Sequence, residues 1–536
     1  MDLPSLLKYG GAGTDIFQFT TPASALDVLS STLPRALRDC VTSAEPFTRD
    51  AASAALFDLY MDLMRIGRAA VHLACAEKAD VTTTFDASSP FLTFLSDPNA
   101  AAPSVIADII PGRHGDFARS RPIKDQLRAV KSALATALQT KAGRIDVMAH
   151  GPLIEQHLAS MDARTVNINP FVLPWPRPGH PPPEIVEMTN VMIGVFDTLV
   201  LEPAGVDGHF ARNARAAARV FTSGWLNQAW HNHRYLSHSP RRFVLGDKLI
   251  SAAPKMLGRS LAWLYRQQGR EVWRVAHGGD RAFYDDDDWG LSELPFCDRY
   301  ICHGAGESEA ISARYASDRV IRIDDTQLVC EADGSNRHID IWRDTHAAPR
   351  QANHAAGRKI RVLYANSSFL GEAAAHKPGI SLTDIHFADL QVWLLSQLRA
   401  AGFEVIFKPH PKNVIAAPAL YENRYDRLET RRFDPRHHDV DVYLFEYAGS
   451  AFFDALASDK GVVLVNPGLR PFDLTNEMDL RSRCEIVDAP EDDRNRFRPD
   501  PDDLAEAIHR AAEVRECPEW FARRYFMAPE HHSDGH

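Results

Sequence analysis

The sequence predicts an α/β protein: two parallel sheets in tandem, each covered by helices and facing a common cleft, with a helical addition at the N-terminus. Three observations lead there. From about residue 144, short apolar runs ending in small or polar residues alternate with amphipathic segments, the rhythm of strand, helix, strand. A polar stretch over 330–357 divides that rhythm into two series. The first ~110 residues carry helical periodicity alone.

Taken in order, amphipathic segments over 25–40 and 51–76, separated by Ser, Thr and Pro, make the N-terminal part helical and functionally quiet. Gly10-Gly11-Ala12-Gly13 has no apolar strand before it and no Lys-Ser/Thr after it, so it reads as a flexible turn. Ile145-Asp146-Val147-Met148 is the first strand signal. Beyond a Pro-rich loop at 175–183, residues 243–247 read as a strand and 256–268 as a helix closed by Gly269. Strands follow at 271–276, 300–302 and 320–323, with a helix between the last two. After the 330–357 linker come a strand at 359–365, a helix at 387–401 closed by Gly402, and strands at 403–407 and 440–445. A helix at 451–458, a strand at 461–465 and a helix at 502–514 complete the series. The implied organisation is a mostly helical region over 1–140, αβ domains over 141–340 and 358–515, and a tail over 516–536. No short repeat of fixed period is present, which excludes solenoids and propellers.

Composition narrows the function. With 536 residues, 45% hydrophobic and 24% charged, the chain has the make-up of an ordinary globular protein rather than a disordered or fibrous one. Acidic residues outnumber basic ones, 71 to 60, for a net charge of −11, so long nucleic acid is not an expected partner. The basic pairs Arg241-Arg242 and Arg431-Arg432 are too brief to change that. Seven cysteines without a CxxC pair argue for free thiols in a reducing compartment. The first residues lack the basic-then-apolar layout of a signal peptide, and no apolar run approaches the ~20 residues of a membrane helix. The expected location is therefore cytoplasmic, with at most peripheral contact at the inner face of the membrane.

In open parallel sheets ligands bind beyond the carboxyl ends of the strands, so the loops there carry the chemistry. In Lys408-Pro409-His410-Pro411, two prolines brace a cation and an imidazole as preset donors for a phosphate. In Glu446-Tyr447-Ala448-Gly449-Ser450, Ser450 is placed to cap the following helix, whose free amides form an anion site. In His277-Gly278-Gly279-Asp280-Arg281, the glycines allow close backbone approach, and His277 or Asp280 can act as a base or orient an attacking hydroxyl. Two further clusters are weighed against metal chemistry. The run Asp285-Asp286-Asp287-Asp288 reads as a solvated loop. His437-His438-Asp439-Val440-Asp441 has the donor types of a metallohydrolase but crowds before a strand without an HExxH helix, so no metal is expected.

Together these three loops resemble those of bacterial GT-B glycosyltransferases that build surface and capsular polysaccharides. Similar "HP" loops mark CMP-sialic acid and CMP-Kdo transferases and the CDP-glycerol glycerophosphotransferases. The resemblance covers about 240–475 and leaves 1–140 unmatched. It implies a GT-B fold of two Rossmann-like domains and a metal-independent enzyme with no cofactor. The implied reaction moves a sugar, Kdo or a related acidic sugar from a CMP donor, onto a glycan or glycolipid acceptor. By the same resemblance Lys408 and His410 bind the donor phosphate, Ser450 holds it from the helix N-terminus, and Asn366, Ser367 and Glu446 belong to the same donor site. His277 activates the acceptor, with Asp280 as the second candidate base and Gly278, Gly279 and Arg281 on the acceptor-side loop. The alternatives are a CDP-glycerol-type glycerophosphotransferase, a metal-dependent hydrolase and a noncatalytic glycan-binding module.

Overall fold

The computed structural model describes residues 21–81, 90–100, 144–148, 151–161, 164–168, 170, 175–238, 245–276, 278–323, 327–347, 358–369, 384–411, 418–513 and 517–529. The Gly10–Gly13 turn and the Arg241-Arg242 pair lie outside them.

After two short helical turns at Ala23–Ala25 and Asp27–Ser31 come helices α1 (Leu33–Thr42) and α2 (Pro46–Lys78). Along α2, Leu56, Leu59, Leu63, Met64 and Ile66 are all fully enclosed and Asp58, Asp62, Arg65 and Arg68 are buried as well, so this helix is covered around most of its circumference and runs through a core rather than over one. Its partners are α3 (Pro183–Phe196) and α4 (Gly208–His238), which share one hydrophobic cluster with it. Gly67 permits the close approach: a Cβ there would meet Leu29 at 2.8 Å and Val200 at 2.9 Å. The helical layer thus draws on two separate stretches of chain. The second lies inside the range that the sequence reading gave to the first αβ domain.

The first sheet contains β1 (Arg144–Val147), β2 (Arg164–Asn167), β3 (Lys248–Ser251), β4 (Glu271–Val275), β5 (Arg299–Cys302) and β6 (Val329–Ala332). Its order is β2-β1-β3-β4-β5-β6, parallel throughout. Helix α5 (Met256–Gln267) joins β3 to β4 and α6 (Ala305–Ala316) lies between β5 and β6. Gly269, at φ +66°, follows α5 as expected. Three expectations fail here: residues 245–247 are not strand, since the strand read at 243–247 begins at Lys248 as β3. Residues 320–323 are not a strand: Ile321 donates its N–H to the Asp287 carbonyl at 3.0 Å and joins the helical core with Ile323. The sixth strand is β6, inside the stretch read as a linker, and it is followed by helix α7 (Asn336–His346). Sitting at the sheet edge, β6 is only partly buried and has a polar sequence to match.

The second sheet contains β7 (Arg361–Ala365), β8 (Glu404–Lys408), β9 (Arg427–Leu428), β10 (Val442–Phe445), β11 (Gly461–Asn466) and β12 (Glu485–Asp488). Its order is β12-β11-β10-β7-β8-β9, again all parallel, and the direction of winding reverses between β7 and β10. Such a reversal opens a crevice at the strands' carboxyl ends. Helices α8 (Asp384–Ala400), α9 (Ser450–Leu456) and α10 (Pro501–Glu513) cover this sheet, and Gly402 at φ +85° closes α8. With both faces covered, β7, β8, β10 and β11 are nearly continuous buried runs.

The stretch read as a tail contains helix α11 (Glu519–Tyr525), which crosses back to the first lobe. There Ser335 donates its N–H to the Phe526 carbonyl at 2.7 Å, and Tyr525 packs so closely on Gly304 and Gly306 that a Cβ at either would approach it to 2.5 Å. The result is two Rossmann-like lobes facing a cleft, with a helical addition, the α/β architecture expected. No described helix is long and apolar enough to cross a membrane.

Candidate active site

A cavity of about 340 Å³ lies between the lobes, where the carboxyl ends of both sheets meet. The second lobe lines it with His410 after β8 and with Tyr447, Ala448, Gly449 and Ser450 after β10. From the first lobe come Lys255 and Arg259 after β3, and Gly278, Asp280 and Arg281 after β4. All three loops singled out in the sequence therefore reach one cavity. Its third wall is unexpected: Phe57, Asp58 and Met61 come from α2, in the region read as functionally quiet.

His410 is held by a buried polar chain. Its backbone N–H donates to Asn366 Oδ1 at 2.8 Å, and Asn366 Nδ2 donates to Gln391 Oε1 at 2.9 Å. Gln391 Nε2 in turn donates to Glu446 Oε1 at 2.7 Å, which also accepts the Ser367 N–H at 2.6 Å. Asn366, Ser367 and Glu446 are thus buried bracing groups behind the loop ends and are not part of the cavity wall. The single polar chain ties the ends of β7, β8 and β10 to α8 in one register.

Lys408 is not among the residues that line the cavity. As the last residue of β8 it is buried, and its ammonium donates to the Arg431 carbonyl, away from the residues that line the cavity. Burial lowers its pKa, with Glu429 opposing that shift. Ser450 also differs: it is the first residue of α9, and Gly449 occupies the capping position without a side-chain bond. The serine hydroxyl is left on an exposed residue of the cavity rim.

Opposite charges from the two lobes meet beside the cavity. Arg470, after β11, donates to Asp286 at 2.8 Å through Nε and to Asp280 at 2.9 Å through Nη2. Its guanidinium lies 3.9 Å from the centroid of the Tyr284 ring. Arg281 bonds Asp280 and Glu293, each at 3.2 Å. For both arginines burial opposes the charge, but the surrounding carboxylates outweigh it and raise the pKa above the ordinary value. Gly279, at φ +74°, lets this loop turn against the other lobe, where a Cβ would sit 3.0 Å from the Phe453 ring.

The aspartate run is not solvated. Asp285 pairs with Arg319, Asp286 with Arg470, Asp287 with Arg35 at 2.6 Å, and Asp288 accepts from Tyr60 Oη at 3.2 Å. Three of the four carboxylates, Asp286, Asp287 and Asp288, thus fasten a loop of the first lobe to the second lobe, α1 and α2. Burial, joined by repulsion from Asp286 and Asp287, pushes the Asp288 carboxyl up to about 7.

His277 lies outside the described residues. In the 437–441 cluster, Asp439 pairs with Arg361, Asp441 with Arg358 at 2.8 Å, and burial lowers His438 to about 4. Among the described residues no group of three or more side chains is arranged to hold a metal ion. The sequence reading missed Arg470, although Pro467-Gly468-Leu469-Arg470-Pro471 repeats the signal of a proline-braced cation after a strand. It missed Phe57 and Asp58 because nothing local distinguishes them from other helix residues.

The fold and cavity define a two-lobed α/β protein with a ligand-sized cleft at the carboxyl ends of two parallel sheets. No protein-family profile matches the chain, and no characterised protein matches it by sequence. Among solved structures, it is similar to UDP-GlcNAc 2-epimerase of Methanocaldococcus jannaschii in complex with UDP-GlcNAc and UDP, at 9% identity and a TM-score of 0.36, covering 71% of this chain and 97% of that one. The glycosyltransferase SnogD from Streptomyces nogalater is similar at 10% identity and a TM-score of 0.31, over 72% and 98% of the two chains. Glycosyltransferase SsfS6 of Streptomyces sp. SF2575, complexed with thymidine diphosphate, aligns at 10% identity and a TM-score of 0.27, over 71% and 92%. At likenesses of this size the architecture rests on the chain's own strand order.

Proposed function

We propose that this chain is a glycosyltransferase that moves Kdo or a related acidic sugar from a CMP donor onto a glycan or glycolipid acceptor of a bacterial surface polysaccharide. The observation that carries the reading is the convergence of the His410, Tyr447–Ser450 and Gly278–Arg281 loops on one cavity between the lobes. His410 meets the donor phosphate from a loop whose backbone is fixed by Asn366, so little freedom is lost on binding. Ser450 offers its hydroxyl from the rim. As the bond to the sugar breaks, negative charge grows on the departing nucleotide, and the nearby guanidiniums of Arg281 and Arg470 stabilise it without having to move. Asp280 is already engaged by both arginines, which suits it to orienting an acceptor hydroxyl. The role of base falls to His277, three residues before it on the same loop.

The test is a thermal-shift panel of CMP, CDP, UDP and CDP-glycerol, followed by turnover of CMP-Kdo. CMP is expected to raise the melting temperature by mass action. His410→Ala is expected to weaken CMP binding by about tenfold or more, and His277→Ala to lower turnover with CMP affinity retained. A panel in which no nucleotide shifts the transition overturns the assignment, and turnover of CDP-glycerol alone replaces it with phosphotransfer.

A further inference from the structure

Helix α2 is mostly enclosed by the helical core, yet Phe57, Asp58 and Met61 reach the cavity. Phe57 is only partly buried, whereas Tyr60 and Met61 beside it are fully enclosed. The Phe57 ring is supported by Tyr60, with centroids 6.4 Å apart, and the Arg259 guanidinium lies 5.9 Å from its centroid. The next residue, Asp58, is held rigidly. Its Oδ2 accepts from Arg259 and from the Met256 N–H at 3.1 Å, while Oδ1 takes no hydrogen bond among the described residues. A partly open aromatic ring at the cavity, adjoining a fixed carboxylate with a spare acceptor oxygen, has the chemistry to hold a pyranose. The sugar's C–H face covers the ring, and a hydroxyl donates to the carboxylate.

We propose that Phe57 and Asp58 form the acceptor subsite, with the terminal pyranose of the acceptor glycan stacked on Phe57. This rests on the glycosyl-transfer reading above and adds to it the element that selects the acceptor. The helical layer is then part of the active site, since it places a saccharide in the same cavity as His410, Ser450 and Asp280.

Saturation-transfer NMR on the full chain, with methyl glycosides of Kdo and of N-acetylglucosamine and with and without CMP, tests this. At least one glycoside is expected to receive saturation at its ring C–H protons from the wild-type protein. Phe57→Ala is expected to weaken it by about tenfold or more, with Phe57→Tyr retaining it. The CMP affinity of Phe57→Ala is expected to equal that of wild type, which shows that the variant is folded. Absence of a signal with both glycosides in the wild type, or equal affinity in Phe57→Ala, overturns the subsite. If saccharide binding depends on Phe57 but CMP fails to bind the wild type, the subsite stands and the transferase reading falls.

Discussion

Replacing Arg470 by Leu removes a buried cation from between the lobes. Its side chain is 6% exposed and that of its partner Asp286 4%, while Asp280 retains 15%, so solvent screens these pairs very little. Deleting one member of a buried pair leaves its partners uncompensated, at a cost of about 3–5 kcal/mol. Loss of the guanidinium from the Tyr284 ring adds about 1 kcal/mol. Because Asp286 and Asp280 belong to the first lobe and Arg470 to the second, the loss is expected to separate the lobes before it melts either sheet. The assay is urea denaturation followed in parallel by small-angle scattering, for Arg470→Leu, Asp286→Asn and the double variant. The double variant is expected to be more stable than the sum of the single losses predicts, by about 2 kcal/mol or more, since neither charge is then left alone. Additivity to within about 0.5 kcal/mol refutes the clamp.

Other outcomes follow from single positions. Asp288, raised to about 7 in the folded chain, favours folding at low pH and loses that contribution as pH rises through its folded value. Asp288→Asn is therefore expected to lose about 2 kcal/mol less stability than wild type between pH 5 and pH 8, and an unchanged pH slope in denaturation midpoints contradicts this. Gly279→Ala forces a Cβ onto a φ of +74° and against Phe453, so a loss of about 1–2 kcal/mol is expected together with reduced turnover. A variant as stable and active as wild type removes the tight-turn argument. Lys408→Met strips the Arg431 carbonyl of its buried donor and is expected to cost about 1–3 kcal/mol while leaving nucleotide affinity in the thermal-shift assay unchanged. A selective loss of affinity returns Lys408 to the phosphate.

Legibility in the sequence tracked burial on both faces. Strands β4, β5, β8, β10 and β11 stand out because both faces are covered, which concentrates Val, Ile, Phe, Trp and Tyr in short buried runs between turn residues. The run at 320–323 looks the same in one dimension, but its apolar side chains are divided, Ile321 and Ile323 in the helical core and Val320 in that of the first sheet, and a short apolar run does not say which core it joins. Strand β6 and helix α7 were hidden for the opposite reason: an edge strand and a peripheral helix satisfy their polar side chains at the surface and so resemble a linker. The site followed a similar division. Loops after strands were readable because proline and glycine mark them, and His410, Ser450, Asp280 and Arg281 came together as a result. Distance in sequence concealed the rest, since Asp286 and Arg470 are partners 184 residues apart and Tyr60 and Asp288 are 228 apart. The partner of Lys408 is concealed likewise, because alternation along the strand sets its side chain toward a carbonyl 23 residues away that no local pattern reveals.

The return of α11 to the lobe that precedes the second sheet has a mechanical consequence. Ile341 of α7 and Phe521 and Tyr525 of α11 join Phe283 and Tyr284 of the first lobe and Phe452 and Phe453 of the second in one hydrophobic cluster, so parting the lobes means opening a shared apolar seam.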